Sequence, residues 1–179
     1  MRRLTLDTAT NVGLLVASAM MTIVLGQRLW SQYLSSPTVP PTYQQGDTFP
    51  EVERVNYGAS DKTVVLFVAS TCKYCTQSMP FYEELARGRT LLRTQLLAVG
   101  FEPESTITSY LAGHRVQTDA VLSTLSRKFK FAATPTLVVL DSKGVVLNQW
   151  VGALNERQNE VRQLLGMPTG EHITGVVSQ

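Results

Sequence analysis

Hydrophobic positions in the middle of the chain fall into short unbroken runs rather than a single period. Thr63-Val64-Val65-Leu66-Phe67-Val68-Ala69 is apolar and β-branched throughout, which is the pattern of a strand buried on both faces. Ser70 or Thr71 then offers a helix N-cap, and the residues from Cys72 onward can wind as a helix that continues through Glu83-Glu84-Leu85 and ends at Gly88. Gln95 to Phe101 reads as a second buried strand, and Ser105 to Leu111 as a helix ending near Gly113. From Asp119 to Lys130, Val121, Leu122, Leu125 and Phe129 would share one helical face, so this stretch is expected to be a helix with a core-facing stripe. Leu137-Val138-Val139-Leu140, the turn cluster Asp141-Ser142-Lys143-Gly144 and the run Val145 to Trp150 predict a β-hairpin. Asn155-Glu156-Arg157-Gln158 has the form of a capping box for a last helix, which Gly166-Met167-Pro168 would end. The pattern predicts an α/β domain.

The N-terminus is different. Val12 to Leu25 is almost entirely apolar or small, and Ala9 to Leu29 reaches the ~20 residues that span a bilayer if Asn11 and Gln27 lie near its interfaces. Trp30 and Tyr33 suit an aromatic belt, and Arg2 and Arg3 favour a cytoplasmic N-terminus, although Arg28 weakens that asymmetry. Ala17-Ser18-Ala19 also has the form of a signal-peptidase site, so a cleaved signal is the rival reading. Either one exports the C-terminal part of the chain. The expected organisation is a cytoplasmic N-terminus over 1–8, a transmembrane anchor or signal over 9–30, a Pro-rich linker over 31–46, a domain over 47–168 and a flexible tail over 169–179.

Charge narrows the function classes. Residues 1–30 hold three arginines and one aspartate, and the rest carries 13 basic and 13 acidic residues (16 minus 3, 14 minus 1), so the domain is neutral and lacks a nucleic-acid footprint. The chemistry sits in the only two cysteines, Cys72-Lys73-Tyr74-Cys75, at the strand-to-helix turn. Unpaired N–H groups and the positive end of a helix dipole favour a thiolate at Cys72, and a thiolate beside a second thiol can attack a disulfide and then be released. Two bland readings compete. A zinc site needs two more ligands, and the histidines, His114 and His172, stand apart from each other. A structural disulfide across so short a loop restricts little of the unfolded chain.

The order strand, C-x-x-C, helix, then Thr134-Pro135-Thr136, strand, Gly turn, strand and helix resembles the thioredoxin-fold family, in particular its TlpA/ResA-type membrane-anchored redoxins. The resemblance covers about Gly46 to Leu165, and Pro80 matches the helix kink eight residues beyond the first cysteine. It implies a central mixed sheet flanked by helices, with Pro135 as a cis-proline beside the C-x-x-C pair and Thr134 offering backbone groups to a thiol partner. Lys73 and Tyr74, between the cysteines, would complete the substrate groove. Three departures stand out. Leu66 occupies the place of thioredoxin's buried acid, Ser78 that of the ResA-type glutamate, and Lys73-Tyr74 is neither the Gly-Pro nor the Pro-His of other branches. A peroxiredoxin pattern is lacking, since Val65 and Ala69 stand at its Pro and Thr positions.

The resemblance implies a membrane-tethered thiol–disulfide oxidoreductase with Cys72 as nucleophile and Cys75 as resolving thiol. It would use no cofactor and no metal. Its partners would be exported protein thiols or disulfides and a membrane electron donor or acceptor, and its place the outer side of a bacterial cytoplasmic membrane. Apocytochrome c reduction is one task the analogy suggests. The alternative is a tethered binding module with a structural disulfide.

Overall fold

The computed structural model describes residues 2–34, 42–53, 55–124 and 128–168; within its first helix, side chains are described over 12–28. The chain forms two units, Met1–Val39 and Pro40–Gln179. The first contains helix α1, Arg2–Leu34. Every residue from Val12 to Arg28 is exposed, among them Leu14, Leu15, Met20, Met21 and Ile23. Thr22 turns its hydroxyl back onto Ser18 O at 2.8 Å, which satisfies that polar group within the helix. Among the described residues no helix is long and apolar enough to cross a membrane. The expectation of a bilayer-spanning helix over 9–30 is not met on that ground: α1 runs over 33 residues, but polar residues such as Asn11, Gln27 and Arg28 bound its apolar run, Val12 to Leu25, which is shorter than the ~20 residues required. Residues 35–41 of the expected linker, Leu125, and the expected tail over 169–179, with His172, lie outside the described residues.

In the second unit the apolar runs form one mixed sheet. Its strands are β1 (Lys62–Phe67), β2 (Thr94–Gly100), β3 (Ala120–Ser123), β4 (Thr136–Asp141) and β5 (Val146–Val151), in spatial order β3-β2-β1-β4-β5. β1 pairs in parallel with β2 and antiparallel with β4, so it is central and its run must be apolar on both faces. Val64, Leu66 and Val68 enter one core cluster, and Val65 and Phe67 the other. The first cluster is covered by helices α2 (Lys73–Gly88), α3 (Glu104–Gly113) and α4 (Gln158–Leu165), through Met79, Tyr82, Leu85, Ile107, Leu111, Val161 and Leu165. The second is covered by Tyr43, Phe49 and Val52 and by Phe129, whose rings meet Phe67 and each other.

Two sequence expectations need correction. The described residues of 119–130 do not form a helix: Ala120–Ser123 is edge strand β3, in register with β2 from Leu97–Ala120 to Gly100–Ser123. Val121 packs toward the helix side and Leu122 toward the other, a period of two. Four residues of mixed pattern suit either state, and the open edge of β2 decides it by offering partners for the backbone. The capping box is also not formed. Asn155–Arg157 is a 3-10 turn closed by Arg157 N–H on Leu154 O at 2.6 Å, and Arg157 precedes α4 without a side-chain cap. The hairpin and the αL ending at Gly166 are as read from the sequence.

Close approach at the end of β2 fixes the junction leading out of β1. A Cβ on Gly100 would lie 2.8 Å from Val68 O and 2.9 Å from Ile107 Cδ1. Gly100→Ala is expected to cost about 1–3 kcal/mol of stability by overpacking, read as a lower denaturation midpoint. Helix α4 is tied to α2 by a two-pronged bond, Arg162 Nε and Nη2 to the Glu84 carboxylate at 2.9 and 2.7 Å, with Arg162 also over the Phe81 ring. The hydrogen bonds from Arg162 hold the Glu84 carboxyl below its ordinary range. A lowered folded-state value means stability present at neutral pH and lost as pH falls through that value. Arg162→Met, which keeps the stem over Phe81, should cost about 1 kcal/mol at neutral pH for this partly exposed pair. The difference from the parent should shrink in acid; a constant difference in urea midpoints across that range would show that packing, not the ion pair, is at stake.

Candidate redox site

The site is built at the end of β1, where the chain leaves the sheet. Val68 N–H donates to Val99 O at 3.0 Å, keeping the strand end paired with β2. Ser70 is held from outside by Glu102: its N–H and its hydroxyl donate to the two carboxylate oxygens at 2.7 and 2.5 Å. Ser70 is thus engaged away from the helix, and neither it nor Thr71 is the N-cap. Cys72 is, with an extended backbone (φ −84°, ψ 109°) and a sulfur that accepts Cys75 N–H at 3.2 Å. An oxygen normally takes this place; here the acceptor is the reactive atom itself.

Both thiols are free, Cys72 half-buried and Cys75 fully buried. Their surroundings push them apart. At Cys72 burial raises the thiol, but hydrogen bonds from Cys75, from the Thr134 side chain and from the backbone of Cys75 and Tyr74 outweigh it and bring it below its ordinary value. At Cys75 burial, then the hydrogen bond and charge of Cys72, push the thiol up to about 12. Cys72 is therefore the more readily ionised of the two, and Cys75 is held as a thiol.

The loop before β4 closes the other side. The Thr134–Pro135 bond is cis, and the Cys72 thiol donates to Thr134 O at 3.3 Å. The loop is anchored by Thr136 Oγ1 on Ala133 O at 2.6 Å and by Gly152 N–H on Pro135 O at 2.8 Å. Pro135 is buried, while Ala132 and Ala133 are exposed beside it. Lys73 and Tyr74 point outward from the first turn of α2, Tyr74 with 60% of its surface exposed. The structure therefore gathers Cys72, Cys75 and Thr134 at one point, and Lys73 and Tyr74 flank it without touching the sulfurs in any side-chain hydrogen bond among the described residues. His114 lies at the end of α3, edge-on to Tyr110 at 5.1 Å. Among the described residues no cluster of three or more His, Cys, Asp or Glu could hold a metal ion.

Several residues at the site were not legible in the sequence. Glu102 has no motif and becomes visible only when β2 is seen to end beside Ser70. Phe101, half-exposed, stacks on Phe131 at 5.1 Å, and Phe131 on Phe67 at 4.3 Å, carrying the aromatic core out to the surface next to this loop. Thr76 Oγ1 and Tyr110 Oη lie 3.0 Å apart, joining α2 to α3 one turn below the cysteines. Tyr82, on the inner face of α2, is completely buried.

No curated protein sequence matches this chain significantly. Among solved structures, the chain is similar to a provisionally assigned thiol:disulfide interchange protein DsbE from Chlorobium tepidum (20% identity, 68% of this chain and 95% of that one, TM-score 0.60). It is also similar to the thioredoxin domain of a thiol-disulfide oxidoreductase from Bacteroides vulgatus (12% identity, 69% and 99%, TM-score 0.58). A thiol:disulfide interchange protein from Bacteroides sp. aligns at 12% identity over 73% and 95%, with a TM-score of 0.56. At these identities the likeness is one of fold. The Thioredoxin-like domain family matches residues 49–166, and with that span, the mixed sheet and the C-x-x-C turn, the chain belongs to the thioredoxin-like family.

Proposed function

We propose that the protein is a thiol–disulfide oxidoreductase acting on cysteine pairs of exported proteins, with Cys72 attacking and Cys75 resolving. One observation carries the reading: Cys72 Sγ caps α2 by accepting Cys75 N–H, while Cys75, one turn inside, is buried and held as a thiol. A disulfide that was merely structural would have no use for two thiols so differently poised. In the reductive direction, the Cys72 thiolate attacks a partner sulfur, the partner's own disulfide breaks, and its other sulfur leaves as a thiolate. Cys75 then attacks Cys72, a Cys72–Cys75 bond forms, the mixed disulfide breaks, and two electrons have passed to the partner. The oxidative direction is the reverse. Thr134 O, released when Cys72 loses its proton, is open to a backbone N–H of the partner, and Pro135, Lys73 and Tyr74 form the groove around it.

A polypeptide with exposed apolar residues on every side of a helix is not at home in water. We infer that α1 holds the chain in a membrane through Val12–Leu25 and that the domain from about residue 47 works on the outer side. A membrane electron donor or acceptor would then reset Cys72 and Cys75, and apocytochrome c is one candidate substrate.

Alkylation of the reduced protein near neutral pH should modify Cys72 first and leave Cys75 nearly untouched. Its rate should fall as pH drops through the lowered Cys72 value, because thiolate is lost. Cys75→Ser should trap partners covalently through Cys72, and Cys72→Ser almost none; faster reaction at Cys75 reverses the roles. Failure of the parent protein to turn over a disulfide with a dithiol would favour the binding-module alternative. For location, the chain should remain with membranes after carbonate washing, and a membrane-impermeant thiol reagent should reach Cys72 in intact cells. Labelling only after lysis, with oxidation controlled, places the domain inside.

A further inference from the structure

Resolution requires Cys75 to become a thiolate in a place that resists it. The acids that relatives place nearby are missing: Leu66 is buried in the helix-side core and Ser78 carries only a hydroxyl, which donates to Tyr74 O at 2.9 Å. Among the described residues, the buried polar or charged side chains include no carboxylate. What the same face of α2 does carry is Tyr82. Cys75, Ser78 and Tyr82 stand at i, i+3 and i+7, so they stack along one inward stripe. The Tyr82 ring is 0% exposed, and its hydroxyl is one of two buried side-chain polar atoms among the described residues that make no hydrogen bond of good geometry; Ser78, its nearest polar influence on the helix, already donates its own hydroxyl to Tyr74 O. A buried hydroxyl without a partner costs about 1–3 kcal/mol. A phenylalanine would fill the site without that cost.

We propose that the Tyr82 hydroxyl is the hydrogen-bond donor held ready for the Cys75 thiolate, taking the place of the missing carboxylate. This rests on the redox reading above. During resolution the Cys75 proton passes through solvent to the departing partner sulfur, and the Cys75 electron pair forms the bond to Cys72 as the mixed disulfide breaks. Tyr82 keeps its own proton throughout and only donates a hydrogen bond to the sulfur while it is negative. The groups that act on Tyr82 are consistent with this. Burial pushes its hydroxyl above the ordinary value, a weak hydrogen bond with the Ser78 side chain opposes this, and the charges of Cys75, Cys72 and Tyr110 on α3 add to the rise, so the donor stays protonated at neutral pH. Glu102 acts on Tyr110, and Glu160, near the core through Trp150, is bonded to the indole N–H at 2.7 Å.

The test is Tyr82→Phe, which removes only the oxygen. Reduced protein is mixed with the chromogenic disulfide of nitrothiobenzoate: Cys72 attacks and releases one chromophore, then Cys75 resolves and releases the second. The expected result is an unchanged first phase, a second phase slowed about tenfold at neutral pH, and a pH–rate midpoint moved up by about one unit. Thermal melting should be at or above that of the parent. A second phase unchanged in rate and pH midpoint overturns the proposal while leaving the redox reading intact. Equal slowing of both phases, or a loss of stability with no shift in the pH midpoint, overturns it in favour of a packing role. Lack of a second phase in the parent overturns the resolving role of Cys75 and this proposal with it.

Discussion

A helix that starts at the end of a buried strand must find acceptors for its first N–H groups, and in this protein one of those acceptors is sulfur. Cys72 Sγ takes Cys75 N–H at 3.2 Å, so the bond that starts α2 also favours the reactive form of the thiol. An N-cap of the usual kind contributes about 0.5–2 kcal/mol to a helix, and an acceptor that becomes negative makes a stronger bond. The surrounding structure serves to keep this turn in place. β1 is clamped between β2 and β4, Gly100 lets β2 close on Val68, and Glu102 holds Ser70 by its N–H and its hydroxyl. None of these contacts touches a sulfur, yet each fixes where the sulfur points.

The two thiols differ because one helical turn separates surface from core. Cys72 gains donors from Thr134 and the first turn, whereas Cys75 gains burial and the negative neighbour Cys72. The second of these is conditional. Once Cys72 is bonded to a partner it carries no charge, and one cause of Cys75's reluctance disappears while its burial remains. Cys75 therefore becomes easier to ionise when Cys72 is held in a mixed disulfide and harder when it is not. In the proposed exchange this coupling would order the steps without any moving part.

The sequence spoke most clearly where one pattern admitted one structure. Thr63 to Ala69 had to be a strand buried on both faces, and the C-x-x-C pair had to sit at its end. The hairpin from Thr136 to Val151 was marked by its turn residues, and the cis bond before Pro135 was implied by family likeness rather than by spacing. Legibility failed where a short segment was decided by its neighbours. Ala120–Ser123 pairs with the free edge of β2, which no local period reveals, and Ser70 gives up capping because Glu102, 32 positions away, engages it. The N-terminal run was read as a membrane-spanning helix; the helix forms, but among the described residues none is long and apolar enough to cross a membrane.

Lack of a carboxylate under the active-site helix has consequences beyond proton transfer. A buried acid beside Cys75 would need a partner or a proton of its own, and its charge would oppose the thiolate it is meant to help. Leu66 instead contributes packing to the helix-side core, between Val64 and Val68 in the strand, and leaves hydroxyls as the polar groups near the buried sulfur. Neutral donors stabilise a thiolate without adding charge, so the interior near Cys75 stays uncharged until the sulfur itself ionises. The pH response of such a site belongs to its two sulfurs. Their separation is set by burial and by the hydrogen bonds gathered at the head of α2.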